Sequence, residues 1–379
     1  MDNSKEIRLS VLEDAEVQAA VQELFSSPSL LKHMQQALPK DLHDQLLQAK
    51  DEVHSTLDFQ TKMMLPFLRF VEKYSISTLS VSGLDGLDPE KKYLFVSNHR
   101  DIGLDSAFLN KALHESGFTT TQIAIGDNLM THRLAELIFR INKSFAVLRS
   151  GGPRELYQHS VRMSAYIHEM IQSGQDSIWL AQREGRAKDG NDFTQIGIVK
   201  MLSLSKQDDL IDHFEQLNIV PVAISYEYAP TGLAKTKEYL QKLQDPEYKK
   251  SFNQDIQHII MGIFGPKGNV HMHFGEPLNN SLEKLRELPN AKKQLEGLVT
   301  MIDASIHQNY KLHPINYAAL DLLEGKVSIS EHYSDEERAQ CIAFFKEQLE
   351  DLPEAYYEQG KNYLLSMYAN PVRNQLNKH

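Results

Sequence analysis

The sequence predicts an α/β protein, with a mixed, largely parallel sheet flanked by helices and helical extensions at both ends. Two observations predict it. Short apolar runs of strand length recur through the middle of the chain and alternate with helical patterns, notably 155–172, as in strands joined by crossover helices. Before residue 76 and after residue 283 the helical pattern runs on without such strands. The chain therefore divides into a helical N-terminal segment (1–75), an α/β domain (76–283) and a helical C-terminal extension (284–379).

Residues Leu12 to Ser55 are rich in Leu, Gln, Glu, Lys and Ala, with breaks at Ser27-Pro28 and at Pro39. The run from Met63 to Val71 is apolar but short, and it carries Pro66 and Arg69; it reads as a core helix, or as a helix resting on a membrane surface. Ile76 to Val81 alternates apolar and polar residues and stops at Gly83, a strand and its turn. Tyr93 to Val96 is a buried strand by its continuous apolar run, and Asp105 to His114 a helix. Further strands are expected at Thr121–Ile125, Phe145–Leu148, Ser177–Leu180, Ile219–Tyr226 and Val270–Phe274. Pro221 has no amide hydrogen to give a ladder, so it predicts a strand start or bulge, not a central ladder position. Beyond Pro277 the pattern is helical to the Lys378 end.

The 379 residues are 41% apolar and 24% charged, enough to bury a sizeable core without disulfides. The one cysteine, Cys341, excludes an internal disulfide and any multi-cysteine metal site, and a reducing cytoplasmic compartment is expected. Cys341 lies in a partly apolar helical segment and reads as core. A net charge of −11 argues against nucleic acid, whose phosphates need a basic footprint. The charged start lacks the pattern of a signal peptide, and no window of about 20 residues is free of charge.

Two strand ends carry the clearest chemistry. In Val96-Ser-Asn-His-Arg-Asp-Ile-Gly-Leu-Asp105 a buried strand delivers His99 to a loop before a helix, where open α/β sheets place ligands. Neutral imidazole accepts a proton near pH 7, and Asp101 or Asp105 would orient it; as plain structure, either Asp is a helix cap. In Ile178-Trp-Leu-Ala-Gln-Arg-Glu-Gly-Arg-Ala-Lys188, the strand ends in cations suited to phosphate, Arg183, Arg186 and Lys188, around Gly185; alone this also reads as a solvated charged turn. Phe145 to Leu148 carries Arg149 into a Gly-rich turn, and Ile219 to Tyr226 is a buried strand with Pro221 inside it. His271 and His273 share one strand face but lack a third ligand nearby, so no metal is expected. Tyr226 and Tyr228 follow the fourth block's strand and read as flanks of the sheet, with lining of the pocket as the alternative. Neither a Gly-x-Ser-x-Gly elbow nor a Gly-Lys-Ser/Thr phosphate loop occurs.

Together these four blocks resemble the motifs of the glycerolipid acyltransferase superfamily, which includes glycerol-3-phosphate and 1-acylglycerol-3-phosphate acyltransferases. Asn98-His99…Asp105 is similar to its Asn-His-x4-Asp motif. Phe145, Val147 and Arg149 resemble the second motif, Glu184-Gly185-Arg186 the third, and Val220-Pro221-Val222 the fourth. The resemblance covers roughly 79–278. Five residues, not four, separate His99 from Asp105, and the position the family reserves for Asp is Leu104; Arg186 stands one place early. Gly103 would absorb the insertion, leaving Asp105 as partner, with Asp101 as its rival.

What the resemblance implies is transfer of a fatty-acyl group from a thioester, acyl-CoA or acyl carrier protein, to 1-acylglycerol 3-phosphate in phospholipid synthesis. Glycerol 3-phosphate and a lyso-amino-acid lipid are alternative acceptors; a thioester hydrolase and a non-catalytic lipid-binding protein on the same core are the rival readings. His99 would be the general base and Asp105 its orienting carboxylate. Asn98, Arg100, Asp101, Arg149, Arg183, Glu184, Gly185 and Arg186 would bind substrate. The family needs no metal or redox cofactor. Because the product is a lipid, peripheral contact with the inner face of the membrane is expected, through 59–71, with Lys62, Arg69 and Lys73 near the headgroups.

Overall fold

The structure, a computed structural model, describes residues 11–207, 209–327 and 329–376; the first ten residues and the Lys378 end lie outside them. Helices α1 (Asp14–Phe25), α2 (Pro28–Ala37), α3 (Lys40–Ala49), α4 (Thr56–Asp58) and α5 (Leu65–Ser75) precede the sheet, and Phe59–Met64 between α4 and α5 is a π-helix. Ser27 and Pro39 stand at the N-caps of α2 and α3. The Ser27 hydroxyl accepts the Leu30 amide, and Pro28 at the first helical position lacks an amide that would have had no partner there.

The α/β part alternates as follows: β1 (Ile76–Ser82), β2 (Leu94–Ser97), α6 (Leu104–Glu115), β3 (Gln122–Gly126), α7 (Arg133–Ile141), β4 (Ser144–Val147), α8 (Pro153–Gln172), β5 (Ile178–Ala181), α9 (Ile196–Leu202), α10 (Leu210–Glu215) and β6 (Ile219–Tyr226). Then come α11 (Gly232–Gln244), α12 (Phe252–Phe264), β7 (Gly268–Phe274) and α13 (Asn279–Leu282), followed by α14 (Ala291–Asn309), α15 (Pro314–Glu324), α16 (Asp335–Leu349) and α17 (Tyr357–Leu376).

The seven strands lie in the order β1-β7-β6-β2-β5-β3-β4. β6, β2, β5, β3 and β4 run parallel, whereas β7 is antiparallel to β6 and parallel to β1. The sheet is therefore mixed and mostly parallel, and its parallel strands end on one edge. β2 and β6 are buried along their whole length, which is why they read as continuous apolar runs. Successive side chains go to opposite faces. Leu94, Val96, Ile178 and Leu180 join α8, α9, α10 and α14 on one face. Phe95, Trp179, Val220 and Val222 join α5 and α6 on the other. Truncating a residue such as Phe95, 1% exposed, would cost about 3–5 kcal/mol.

Three expectations change. Pro221 sits inside β6, between β2 and β7, not at a strand start. Its carbonyl accepts the Gly275 amide, so its nitrogen faces the same side, where β7 has already ended, and no donor is lost. Helix α14, expected with the C-terminal extension, packs Leu295, Leu298, Ile302 and Ile306 into the sheet's own core, while α15, α16 and α17 form a separate cluster around Leu320, Phe345 and Leu365. Finally, Phe59, Met63, Leu68 and Val71 are buried in the protein, Lys62 pairs with Asp58 and Arg69 with Glu115. These four apolar side chains belong to the core and are not free to enter a membrane, whereas Met64, Leu65, Phe67 and Phe70 of the same stretch are half-buried.

Candidate active site

Strand β2 ends at Ser97, in register with Ala181 of β5 and Val222 of β6, so the residues that follow all three strands meet at one edge. Asn98 is fully buried there. Its side-chain amide donates to the Ile224 carbonyl at 2.9 Å and its oxygen accepts the Ile224 amide at 2.7 Å. This pins the loop to β6. Asn98 is therefore a structural bolt and not the substrate contact expected from the sequence.

His99 follows. Its Nδ1 lies 2.8 Å from Asp105 Oδ2. Its ring meets the edge of Trp179 with centroids 5.6 Å apart, and the Trp179 indole donates to Ser97 Oγ at 3.0 Å. Asp105 sits in the first turn of α6, is fully buried, and accepts from four sources. Oδ2 takes His99 and the amides of Arg100 at 2.6 Å and Asp101 at 3.0 Å; Oδ1 takes the Tyr226 hydroxyl at 3.1 Å. The extra residue between His99 and the carboxylate is absorbed by this curl, in which consecutive amides wrap one oxygen.

Asp101 has a different task. Its Oδ1 accepts the amides of Gly103 at 3.1 Å and Leu104 at 2.9 Å, satisfying the open amides at the start of α6. A Cβ on Gly262 of α12 would collide with its Oδ2. The structure thus separates the two carboxylates: Asp105 holds the imidazole, and Asp101 caps the helix. Arg100 also points inward. It pairs with Asp192 and stands 4.9 Å over the Tyr310 ring. Burial opposes its charge, but Asp192, Tyr310, Asp105 and Asp189 together outweigh this and the guanidinium is raised above its ordinary pKa.

The loop after β5 lies beside this one, and the Ala187 amide donates to the His99 carbonyl at 3.2 Å. Gly185 has φ +69°, a left-handed turn that a side chain would strain. Arg183 donates to the Asn191 carbonyl at 3.3 Å, and Arg186 to Thr231 Oγ1 at 3.5 Å. Lys188 is drawn to Glu238 at 2.6 Å. Glu184 is largely exposed, with Arg149 Nε at 3.8 Å from its carboxylate. Arg149 follows β4, and it packs against Gly126 so closely that a Cβ there would collide with the guanidinium. It is the remote member of the set, two strands beyond β5 in the sheet.

Three residues of this site escape a reading by motif. Tyr226, read as a sheet flank, is buried against Asp105; burial and that carboxylate raise its hydroxyl well above its ordinary pKa. Asp192 and Tyr310 hold Arg100 from 92 residues away and from the C-terminal part. Nothing in local spacing marks them. His271 and His273 are bonded to the hydroxyls of Ser80 and Ser82, and among the described residues no group of three or more His, Cys, Asp or Glu is placed to hold a metal ion. Cys341 is buried, which pushes its thiol up to about 11.

Residues 78–225 match the family model Acyltransferase, spanning β1 to β6 and with them His99, Asp105, Arg149 and Arg186. The chain is similar to the glycerol-3-phosphate acyltransferase of Pseudomonas putida strain W619, at 24% identity over 257 residues, 64% of this chain and 30% of that protein. It is also similar to that of Pseudomonas aeruginosa strain LESB58, at 24% over 245 residues, 61% of this chain and 28% of that protein. The chain thus spans under a third of the length of these curated relatives. The crystal structure of a 1-acyl-sn-glycerophosphate acyltransferase from Thermotoga maritima aligns with a TM-score of 0.36 and 12% identity, covering 78% of this chain and 97% of that one.

Proposed function

Since the chain carries a domain of the glycerolipid acyltransferase superfamily, we propose that it moves a fatty-acyl group from a thioester to a hydroxyl of a glycerol-phosphate acceptor in phospholipid synthesis. The observation that carries this reading is the His99–Asp105 pair at the end of β2, within the matched domain. With Nδ1–H directed at Asp105, the other ring nitrogen, Nε2, is the unprotonated one and can take the acceptor's proton. The freed oxygen attacks the thioester carbonyl. Collapse of the tetrahedral intermediate expels the thiolate, which takes the proton back from the imidazolium. The buried Asp105 stabilises that imidazolium. No acyl-enzyme is needed, so neither a serine nor Cys341 has a part.

Glycerol 3-phosphate is the acceptor to try first, because the curated relatives carry that name. 1-Acylglycerol 3-phosphate has the same phosphate and a free hydroxyl. The experiment offers the purified chain each acceptor with acyl-CoA or acyl carrier protein and identifies products by mass spectrometry. The reading requires acylated glycerol phosphate from at least one pairing; free fatty acid alone would replace it with a thioester hydrolase. Among the described residues no helix is long and apolar enough to cross a membrane, and contact with a lipid surface is part of this proposal.

A further inference from the structure

Behind the His99–Asp105 pair lies a partly enclosed cavity at the start of α11. Arg100, Thr231 and Lys235 line it together with Tyr226, Tyr310 and Tyr368, and its volume is about 30 Å³. Its far wall comes from α15 and α17, outside the part that matches the family. Asp101 is the one carboxylate in the lining, and its Oδ1 is already taken by two amides.

The cations here have more donors than acceptors. Lys235 is 4% exposed, yet its ammonium makes one long contact, 3.4 Å to the Ala187 carbonyl. An ammonium has three donors, and a buried cation without partners is costly. Burial, with Arg186 and Arg100 repelling it, pushes Lys235 down to about 7 against the pull of Asp101 and Asp105. Arg100 gives one nitrogen to Asp192, but its buried Nε has no acceptor. Arg186 reaches the cavity's edge at Thr231.

We propose that this cavity seats the phosphate of a phosphomonoester, with Lys235 and the Arg100 Nε as buried donors and Arg186 at the rim. A dianion there would supply the acceptors that Lys235 and the Arg100 Nε lack. The seat is coupled to the chemistry at two points. Ala187 bonds both Lys235 and the His99 carbonyl, and Tyr226 lines the cavity while bonding Asp105. That the phosphate belongs to the acyl acceptor rests on the function proposed above; that the cavity takes a phosphate does not.

The test uses thermal unfolding of the full chain with inorganic phosphate or glycerol 3-phosphate, and acceptor kinetics, for the wild type, Lys235→Met and the control Lys292→Met, at an exposed lysine of α14. Both ligands are expected to raise the wild-type Tm. Lys235→Met should need at least about tenfold more of either for the same rise, and its acceptor KM should increase about tenfold or more at an unchanged KM for the acyl thioester. Lys292→Met should behave as wild type. If Lys235→Met does not fold, Lys235→Gln takes its place. Absence of any wild-type shift, or an undiminished shift in a folded Lys235 variant, overturns the site. A shift with inorganic phosphate alone overturns the acceptor assignment. A Lys235-dependent shift without turnover of any acceptor retains the site and removes the proposed function.

Discussion

The Tyr226 hydroxyl donates to Asp105 Oδ1 at 3.1 Å, on the side of the carboxylate opposite the oxygen that holds His99. Each carboxylate oxygen is thus fixed by a different strand end, one from β2 and one from β6. A hydrogen bond to a charged group contributes about 1.5–3 kcal/mol. Tyr226→Phe removes it while keeping the ring. It should lower kcat about tenfold, leave the acceptor KM within about twofold, and reduce stability. An unchanged kcat in a folded variant would show that this bond does not position the base.

Asp101 and Asp105 stand four residues apart but hold different partners. Asp105→Asn should lose at least about 10²-fold in kcat, because an amide cannot stabilise the imidazolium and favours the wrong tautomer. Asp101→Asn keeps an acceptor for the α6 amides and should cost less than about tenfold. Equal losses in the two variants would contradict the division of labour.

Gly126 leaves no room for a Cβ beneath the Arg149 guanidinium. Gly126→Ala should displace Arg149 and raise the acceptor KM several-fold at constant thioester KM. Steady-state kinetics with each substrate varied in turn checks this, and a rise in the thioester KM alone would remove Arg149 from acceptor binding.

The buried lysine has a consequence for stability. Lys235 titrates near 7 when folded against 10.5 for an ordinary lysine. Between those values the unfolded chain binds the additional proton, so the wild type gains stability from this group as pH rises from about 7 towards 10. Below 7 the folded state must carry the buried charge. Lys235→Met should therefore be more stable than wild type at pH 6–7, by a margin that shrinks as pH rises. Denaturant midpoints at several pH values measure it; a constant margin would mean that Lys235 does not titrate in this window.

The centre of the sheet was readable in the sequence because strands such as β2 and β6 are buried on both faces and appear as apolar runs, as in 219–226, while the edge strand β1 showed as an alternating pattern. The closeness of His99 and Asp105 was readable because one short loop joins them. What spacing alone could not decide was which Asp meets the imidazole; the curl of the Arg100 and Asp101 amides around Asp105 does so in three dimensions. Asp192, Tyr226, Lys235 and Tyr310 were hidden for another reason. They reach the site across the sheet or from later helices, and contacts over such separations leave no local pattern. The stretch 59–71 was ambiguous in another sense: a short apolar helix looks the same whether it faces lipid or core, and here the core takes Phe59, Met63, Leu68 and Val71.

The most direct test of the account is thiol release from an acyl thioester by purified protein, with and without glycerol 3-phosphate or 1-acylglycerol 3-phosphate, for the wild type and His99→Ala. The account predicts release that depends on an acceptor and falls by about 10²–10⁴-fold in a folded His99→Ala. Acceptor-dependent release that survives in His99→Ala would contradict the role given to His99 and with it the mechanism.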